Sequence, residues 1–257
     1  MYTDFLMNRN QMLNCLRDLD VRLRAVQDPK EVTVILLLGE SAVLAGYHFR
    51  QHITAVDAHC TCSCDIRQAA REVAAARFIP EQWLGSECYQ DGSYSNQLLE
   101  CSVLWRRLSR STEVRTISGP ALIASRLRAS ARSPYGLADV LGILAEEQAE
   151  GNTIAFEQID EMIERLYHGW SGMPENAYAF LQQAIQKGNY EDACRSLMAQ
   201  EKAVLAMTVQ KREDFMPSPD NTDTEAIAAL AESRSHDWSR LKGTPLYVRK
   251  HEDRQPR

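Results

Sequence analysis

The pattern of apolar and polar positions predicts helices around a small number of extended segments. Residues 5–26 carry apolar side chains at mostly helical intervals, which predicts an N-terminal helix that packs on a sheet through Leu13, Leu16, Leu19, Val21 and Leu23. Residues 32–38 form a continuous β-branched and leucine-rich run that ends on Gly39. Such a run is typical of a central strand covered on both faces. Ser41 to Ala45 has helical composition, and Gly46 is a helix stop signal.

The middle of the chain predicts one more helix and further strands. Residues 64–79 are alanine-rich and amphipathic, so we expect a helix that ends before Pro80. Trp83 follows and is interpreted as a core anchor, because aromatic side chains bury large areas. Residues 98–104 and 113–117 are predicted to be two strands, and Glu100 or Glu113 could place a carboxylate on the sheet.

The second half predicts helices almost throughout. Residues 153–167 have apolar positions at helical spacing, with Asn152 or Thr153 as the expected cap, and amphipathic helices are expected at 175–188 and 190–212. Residues 217–225 are polar and contain proline, which indicates a linker before a last helix at 226–241 and a charged tail from Lys242.

These elements predict an α+β fold with a small mixed β-sheet between about residue 30 and residue 117, helices that cover it, and a mostly helical C-terminal half. We divide the chain into a sheet-containing domain at 1–118, a helical region packed on it at 119–216, and a linker, short helix and charged tail at 217–257.

Composition excludes some classes of function. The 257 residues carry a formal net charge of −6, so no global attraction draws the chain to nucleic acid or to an anionic membrane. An arginine-rich stretch around Trp105 could follow a phosphate backbone or form a solvated face; its members are Arg106, Arg107, Arg110 and Arg115. No apolar run is long enough to span a bilayer and no signal-peptide core is found, so we expect a cytoplasmic protein without a membrane partner.

Candidate chemistry lies where the predicted central strand ends. A strand that passes through a Gly/Ser turn into a helix directs backbone N–H groups at one point, and phosphate binds well there. Gly39 and Ser41 stand in that turn. Asp57 follows on the next predicted strand, where its carboxylate could hold a metal ion that bridges to the phosphate.

This order of elements resembles the start of the nucleotidyltransferase fold, particularly small bacterial proteins related to abortive-infection type nucleotidyltransferases. Gly39 and Ser41 match the first motif of that family, although Glu40 stands where a second small residue is expected. The second motif has an Asp-x-Asp pair after an arginine and a threonine. Here Asp57 matches the first carboxylate and His59 takes the place of the second, while the residues in the preceding region are Arg50 and Thr54.

The resemblance continues along the chain. Ile79, Pro80, Trp83 and Leu84 fit a segment that follows the helix in relatives. Further on, Arg126 falls at a lysine of the family, Tyr135-Gly136 falls at an Arg-Asp pair, and Asp139 matches a downstream aspartate. Asp139 could orient Arg126 or Arg132, or it could cap a helix that begins near Leu137.

The resemblance implies transfer of a nucleoside monophosphate from a nucleoside triphosphate to an unidentified acceptor such as an RNA end or a protein side chain. It assigns catalytic roles to Asp57, Arg126 and Asp139. It assigns nucleotide binding to Gly39, Ser41, Arg50 and Thr54. The implied cofactor is Mg²⁺ or Mn²⁺ with the nucleotide, and the implied metal ligands are Asp57 and His59. Because histidine is a poor ligand for Mg²⁺, His59 suits Mn²⁺ or Zn²⁺ better.

Two other functions stay open at this point. The departures at Glu40, His59 and Tyr135-Gly136 also fit a catalytically degenerate relative (a pseudoenzyme) that acts as a scaffold or as one half of a toxin–antitoxin pair with a protein partner.

The other open function is that of a metal-binding regulator, whose metal site would include His59 and the alternating Cys60, Cys62 and Cys64. Thiols two residues apart on a strand are about 7 Å apart, so they would need Cys88 or Cys101 to complete a zinc site. The alternative is that these reduced thiols pack under a helix.

Overall fold

A computed structural model describes residues 5–28, 30–85, 96–130 and 135–200, which all lie in one compact unit, Met1–Ala203. Several sequence predictions lie outside the described residues. They concern Cys88, Arg132, residues 201–212 of a predicted helix, the linker, the last helix and the charged tail.

Four strands form one mixed sheet at the centre of the described unit. They are β1 (Thr33–Leu37), β2 (Ala58–Thr61), β3 (Ser102–Arg107) and β4 (Thr112–Ile117), and they lie side by side in the order β2-β1-β4-β3. β1 runs parallel to β4 and antiparallel to β2, and the edge strand β3 runs antiparallel to β4. The prediction of an α+β fold with a small mixed sheet is confirmed.

The helices are α1 (Arg9–Val26), α2 (Gly39–Gly46), α3 (Ile66–Arg77), α4 (Asn96–Glu100), α5 (Gly119–Ala129), α6 (Tyr135–Ala149), α7 (Phe156–Tyr167) and α8 (Ala177–Lys187). Short 3-10 helices lie at Glu81–Trp83 and Trp170–Gly172, and residues 190–200 are again helical. From Gly119 to residue 200, the described residues form helices and their connections, as expected for this half. Among the described residues, no helix combines the length and apolar character that crossing a membrane requires.

β1 is the central strand that its sequence predicts. Its apolar residues Ile35, Leu36 and Leu37 are buried, and they share one hydrophobic core with the helices on the sheet. α1 contributes Leu16, Leu19 and Leu23 to that core and packs against α3. Apolar burial of this kind is the main favourable contribution to folding.

Three local predictions were wrong. Val21 is 57% exposed, because it lies about 200° around α1 from Leu19 and therefore faces away from the core. Residues 98–100 belong to α4 rather than to a strand, and β3 begins only at Ser102. α7 begins at Phe156, where the side chain of Gln158 accepts a hydrogen bond from the Ala155 N–H at 2.8 Å, so neither Asn152 nor Thr153 is the cap.

The prediction for Trp83 as a core anchor is confirmed. Its side chain is fully buried, and its Nε1–H donates to the carbonyl oxygen of Ala70 in α3 at 3.0 Å. A buried indole N–H that found no acceptor would destabilise the fold, so this bond fixes the segment after α3. The same segment leads directly into the candidate site.

Candidate functional site

The candidate site lies where β1 ends and α2 begins. Gly39 is the first residue of α2 and has φ +50, a left-handed conformation that glycine adopts at little cost. β2 runs antiparallel to β1, so its N-terminal end lies beside this turn. The N–H of Leu38 donates to the carbonyl oxygen of Asp57 at 2.8 Å, which extends the β1–β2 ladder by one residue. The sheet therefore places Asp57 next to Gly39.

Ser41 fixes this arrangement from the other side. Its buried Oγ accepts a hydrogen bond from the backbone N–H of Asp57 at 2.8 Å. The sequence prediction gave Ser41 a direct role in phosphate binding. The contact indicates a positioning role, because the hydroxyl holds the backbone of Asp57 against the first turn of α2.

The carboxylate of Asp57 lies between two glycines. A Cβ atom on Gly39 would lie 3.1 Å from Oδ2 of Asp57, and a Cβ atom on Gly85 would lie 2.9 Å from Oδ1. Gly85 reaches this place because its N–H donates to the carbonyl oxygen of Val56 at 2.9 Å, next to a 2.6 Å bond from Val56 N–H to Trp83 O. Sequence reasoning missed Gly85. The available signal was its place directly after the anchor Trp83-Leu84.

A second group of charged side chains forms the deeper part of the site. We call Glu40, Arg50, Arg126 and Asp139 the charge cluster. Asp139 on α6 is completely buried, and its Oδ1 accepts hydrogen bonds from Nε and Nη2 of Arg50 at 2.8 and 2.6 Å. Nη2 of Arg126 on α5 lies 2.7 Å from the other oxygen, Oδ2. One buried carboxylate therefore holds two arginines.

The sequence left two roles open for Asp139, to orient an arginine or to cap a helix, and this geometry decides between them. The residue lies inside α6, four residues after its start at Tyr135, so it is not the cap of that helix. It orients Arg126, one of the two arginines that the sequence offered. It also orients Arg50, a contact that spans 89 residues of sequence and that the motifs did not predict.

Burial and the two arginines act on Asp139 in opposite directions. Burial raises the pKa of the Asp139 carboxyl above its ordinary value, and the charges of Arg126 and Arg50 oppose that rise. At this depth, the ionised carboxylate needs both guanidinium groups as partners.

Glu40 completes the charge cluster from the first turn of α2. Its Oε2 lies 3.8 Å from Nη1 of Arg50, and its Oε1 lies 3.7 Å from Nη2 of Arg126. These distances are too long for hydrogen bonds, so the attraction is that of loosely paired charges. The Glu40 side chain is 27% exposed and forms the solvent side of the cluster.

Arg126 connects the charge cluster to Asp57. Its Nη1 lies 3.6 Å from the position that a Cβ atom on Gly39 would take, and the same position is 3.1 Å from Asp57 Oδ2. The Arg126 side chain is 7% exposed. Its Nη2 is held by Asp139, and within the part of the chain that the structure describes only its buried Nε has neither an ion-pair partner nor a hydrogen-bond acceptor. The arginine therefore approaches the start of α2 through Nη1.

Other predicted residues lie elsewhere. Thr54 is exposed on the loop before Asp57, and no described contact joins it to the charge cluster. Glu100 accepts a hydrogen bond from Arg165 at 2.6 Å, and Glu113 pairs with Arg107 and Arg115. These contacts therefore do not bring either glutamate close to Asp57.

Gly136, which the sequence resemblance placed at the aspartate of an Arg-Asp pair, has a packing role. A Cβ atom there would lie only 2.5 Å from the carbonyl oxygen of Arg126 and 3.1 Å from the backbone nitrogen of Ser130. The glycine lets the start of α6 approach the end of α5. This close approach brings the helix of Asp139 to the helix of Arg126.

The arginine-rich stretch is divided among local partners. Arg107 pairs with Glu113, and Arg115 donates to Oγ of Ser102 at 2.6 Å. The guanidinium carbon of Arg106 lies 5.9 Å from the centre of the Trp105 ring. These contacts favour the interpretation of a structured, solvated face on the edge strand.

The cysteines after His59 leave the strand early. β2 ends at Thr61, so Cys62 and Cys64 lie beyond the strand that carries Cys60, and the strand spacing of about 7 Å does not apply to them. Sγ of Cys62 contacts the carbonyl oxygen of Cys64 at 3.6 Å, and burial raises the pKa of Cys62 to about 12. Within the described ranges, no group of three His, Cys, Asp or Glu side chains is arranged to hold a metal ion.

No family model matches this sequence, and neither a curated protein nor a solved structure matches it. The resemblance to nucleotidyltransferases therefore stays a prediction from the motifs of the sequence.

Proposed function

We propose that this chain is a nucleotidyltransferase-type protein that binds a nucleoside triphosphate with a divalent cation beside Asp57 and transfers a nucleoside monophosphate to an acceptor. One observation carries the proposal. The Asp57 carboxylate lies at the N-terminus of α2, directly beside Gly39, and Arg126 Nη1 approaches the same point. An acidic ligand for a cation, a helix N-terminus and a guanidinium group together suit a metal-bound polyphosphate.

The candidate site offers a divalent cation few protein ligands. Mg²⁺ in nucleotide sites keeps several waters and takes one or two carboxylates together with phosphate oxygens. Asp57 would supply the protein carboxylate. His59 follows two residues later and would add a nitrogen ligand that suits Mn²⁺. When bound, the cation would neutralise charge on the phosphates.

The chain's own residues have separable roles in this proposal. The first N–H groups of α2 would bind phosphate oxygens, because Gly39 brings no side chain between them and Asp57. Arg126 would stabilise negative charge that develops on the transferred phosphoryl group. Asp139 is a positioning residue, since it holds Arg126 and Arg50 without reaching the surface itself.

Calorimetric titration with ATP, GTP, CTP and UTP, first with Mg²⁺ and then with Mn²⁺, tests the proposal. We expect metal-dependent binding with a dissociation constant in the micromolar range, and we expect Asp57→Asn to weaken it at least tenfold. Asp192→Asn is the matched control, because it removes the same charge from a side chain that is 79% exposed on the helical residues 190–200.

A second function has one observation in its favour. Glu40 places a carboxylate against both arginines, which disfavours a polyphosphate and fits a non-catalytic relative that serves as a scaffold or a toxin–antitoxin partner. Absence of nucleotide binding with either metal would support that function and reject the first. Zinc retained in stoichiometric amount after purification would instead favour the Cys/His regulator.

A further inference from the structure

The Glu40 carboxylate lies between two arginines. Its two oxygens face two different arginines, at 3.7 Å from Arg126 Nη2 and 3.8 Å from Arg50 Nη1. A carboxylate that makes strong ion pairs approaches guanidinium nitrogens to about 2.7–2.9 Å. Glu40 therefore lies between the two cations without forming hydrogen bonds to them, and little geometry holds it there.

The buried arginine below Glu40 has one donor without a partner. Nη2 of Arg126 is ion-paired with Oδ2 of Asp139 at 2.7 Å, while Nε is inaccessible to solvent and lacks a hydrogen-bond acceptor among the described residues. Buried donors are normally satisfied, so this guanidinium group still calls for an acceptor. Phosphate and related oxyanions are such acceptors, and arginine binds them through parallel N–H···O bonds.

The charge count leads to the same conclusion. The charge cluster has two guanidinium groups, and the fully buried Asp139 supplies one negative charge to both. Within the charge cluster, the second negative charge is that of Glu40, which is partly exposed. When Glu40 leaves, the cluster keeps one net positive charge beside the N-terminus of an eight-residue helix, where an anion is stabilised.

We infer that the space between Arg50 and Arg126 is an oxyanion subsite that Glu40 occupies in the free protein and that a phosphoryl group of the ligand takes over. The inference rests on the proposed function for the class of ligand. It adds a specific role for Glu40, the residue that departs from the first motif. The glutamate competes with the ligand for the arginines, so it weakens the binding of phosphate-containing ligands at this subsite.

Binding of inorganic pyrophosphate without metal tests the subsite separately from Asp57. We would titrate the parent protein, Glu40→Gln and Glu157→Gln by calorimetry in low salt. Glu157 lies in the first turn of α7 as Glu40 lies in the first turn of α2, so its variant removes the same charge at the same place in a helix. We expect Glu40→Gln to bind pyrophosphate about tenfold more tightly than the parent, and Glu157→Gln to match the parent.

The outcomes separate this inference from the proposed function. Equal or weaker pyrophosphate binding by Glu40→Gln, or no binding by any of the three proteins, would overturn the subsite. If the parent nevertheless binds nucleotide in an Asp57-dependent manner, the proposed function stands alone. If Glu40→Gln gains pyrophosphate binding while no variant binds nucleotide, the oxyanion subsite stands and the proposal that its ligand is a nucleotide is rejected. Arg126→Lys, which keeps the charge but loses the planar fork, should cancel the gain in the Glu40→Gln background.

Discussion

Asp139→Asn changes the buried charge of the site with almost no change of shape. In the parent protein, Asp139 is completely buried and receives two hydrogen bonds from Arg50 and one ion pair from Arg126, all between 2.6 and 2.8 Å. The amide keeps one oxygen that can accept from Arg50. Its NH₂ group would instead meet a guanidinium group that has only donors.

The expected cost follows from the two arginines that remain. Removing one partner of a buried ion pair costs about 3–5 kcal/mol, because the other charge stays buried without compensation. Here two cations lose their shared partner, while Glu40 at 3.7 and 3.8 Å offsets a part of the charge. We therefore expect a loss of about 4 kcal/mol in the free energy of unfolding. For a protein of this size, that loss lowers the melting temperature by about 8–16 °C.

Urea unfolding followed by circular dichroism, together with thermal unfolding, measures the effect. Asp192→Asn serves as the control and should change the free energy of unfolding by less than about 0.5 kcal/mol, since its side chain is 79% exposed. A triple replacement of Arg50 and Arg126 by Met and of Asp139 by Leu should recover much of the loss. Removing every member of a buried charged group leaves no uncompensated charge.

A loss below about 1 kcal/mol for Asp139→Asn would refute the argument that one buried carboxylate holds both arginines. A triple variant less stable than Asp139→Asn would refute the attribution of the loss to unpaired charge. The latter result would point to packing between α5 and α6 instead.

Three further predictions concern other parts of the chain. Gly39→Ala should destabilise the protein by about 1–2 kcal/mol, because the residue has φ +50. It should also weaken metal-dependent nucleotide binding, because its new Cβ would lie 3.1 Å from Asp57 Oδ2. The control in urea unfolding and calorimetry is Gly46→Ala, where a Cβ meets nothing within 4 Å. Burial raises the pKa of Cys15 from 9.0 to about 11, so the unfolded state releases the thiol proton first and stability falls as the pH rises from 9 towards 11. The parent should lose about 2 kcal/mol more than Cys15→Ala between pH 8 and pH 11 in urea unfolding, and equal losses would contradict this origin. Trp83→Phe should cost about 1–3 kcal/mol because the carbonyl oxygen of Ala70 loses its buried donor, and an unchanged urea midpoint would show that this bond adds nothing.

The sequence by itself determined the elements whose signals are local. The apolar run at 32–38 predicted the central strand, because a strand covered on both faces has no polar alternation. The alanine-rich segment before Pro80 predicted α3, and the Gly/Ser turn predicted the strand-to-helix junction at Gly39. Asp57, Arg126 and Asp139 were also selected from sequence, through their order in the motifs.

Only the tertiary structure decided which partners these residues have. The contact between Arg50 and Asp139 joins positions 89 residues apart, and Gly85 reaches Asp57 through a bridge that no local pattern encodes. Glu40 counts in sequence as a departure from a motif, yet in the fold it faces two arginines. Spacing along a chain fixes which face of a helix or strand a side chain takes, but the charge that meets it depends on how distant elements pack, and this packing sets the chemistry of the site.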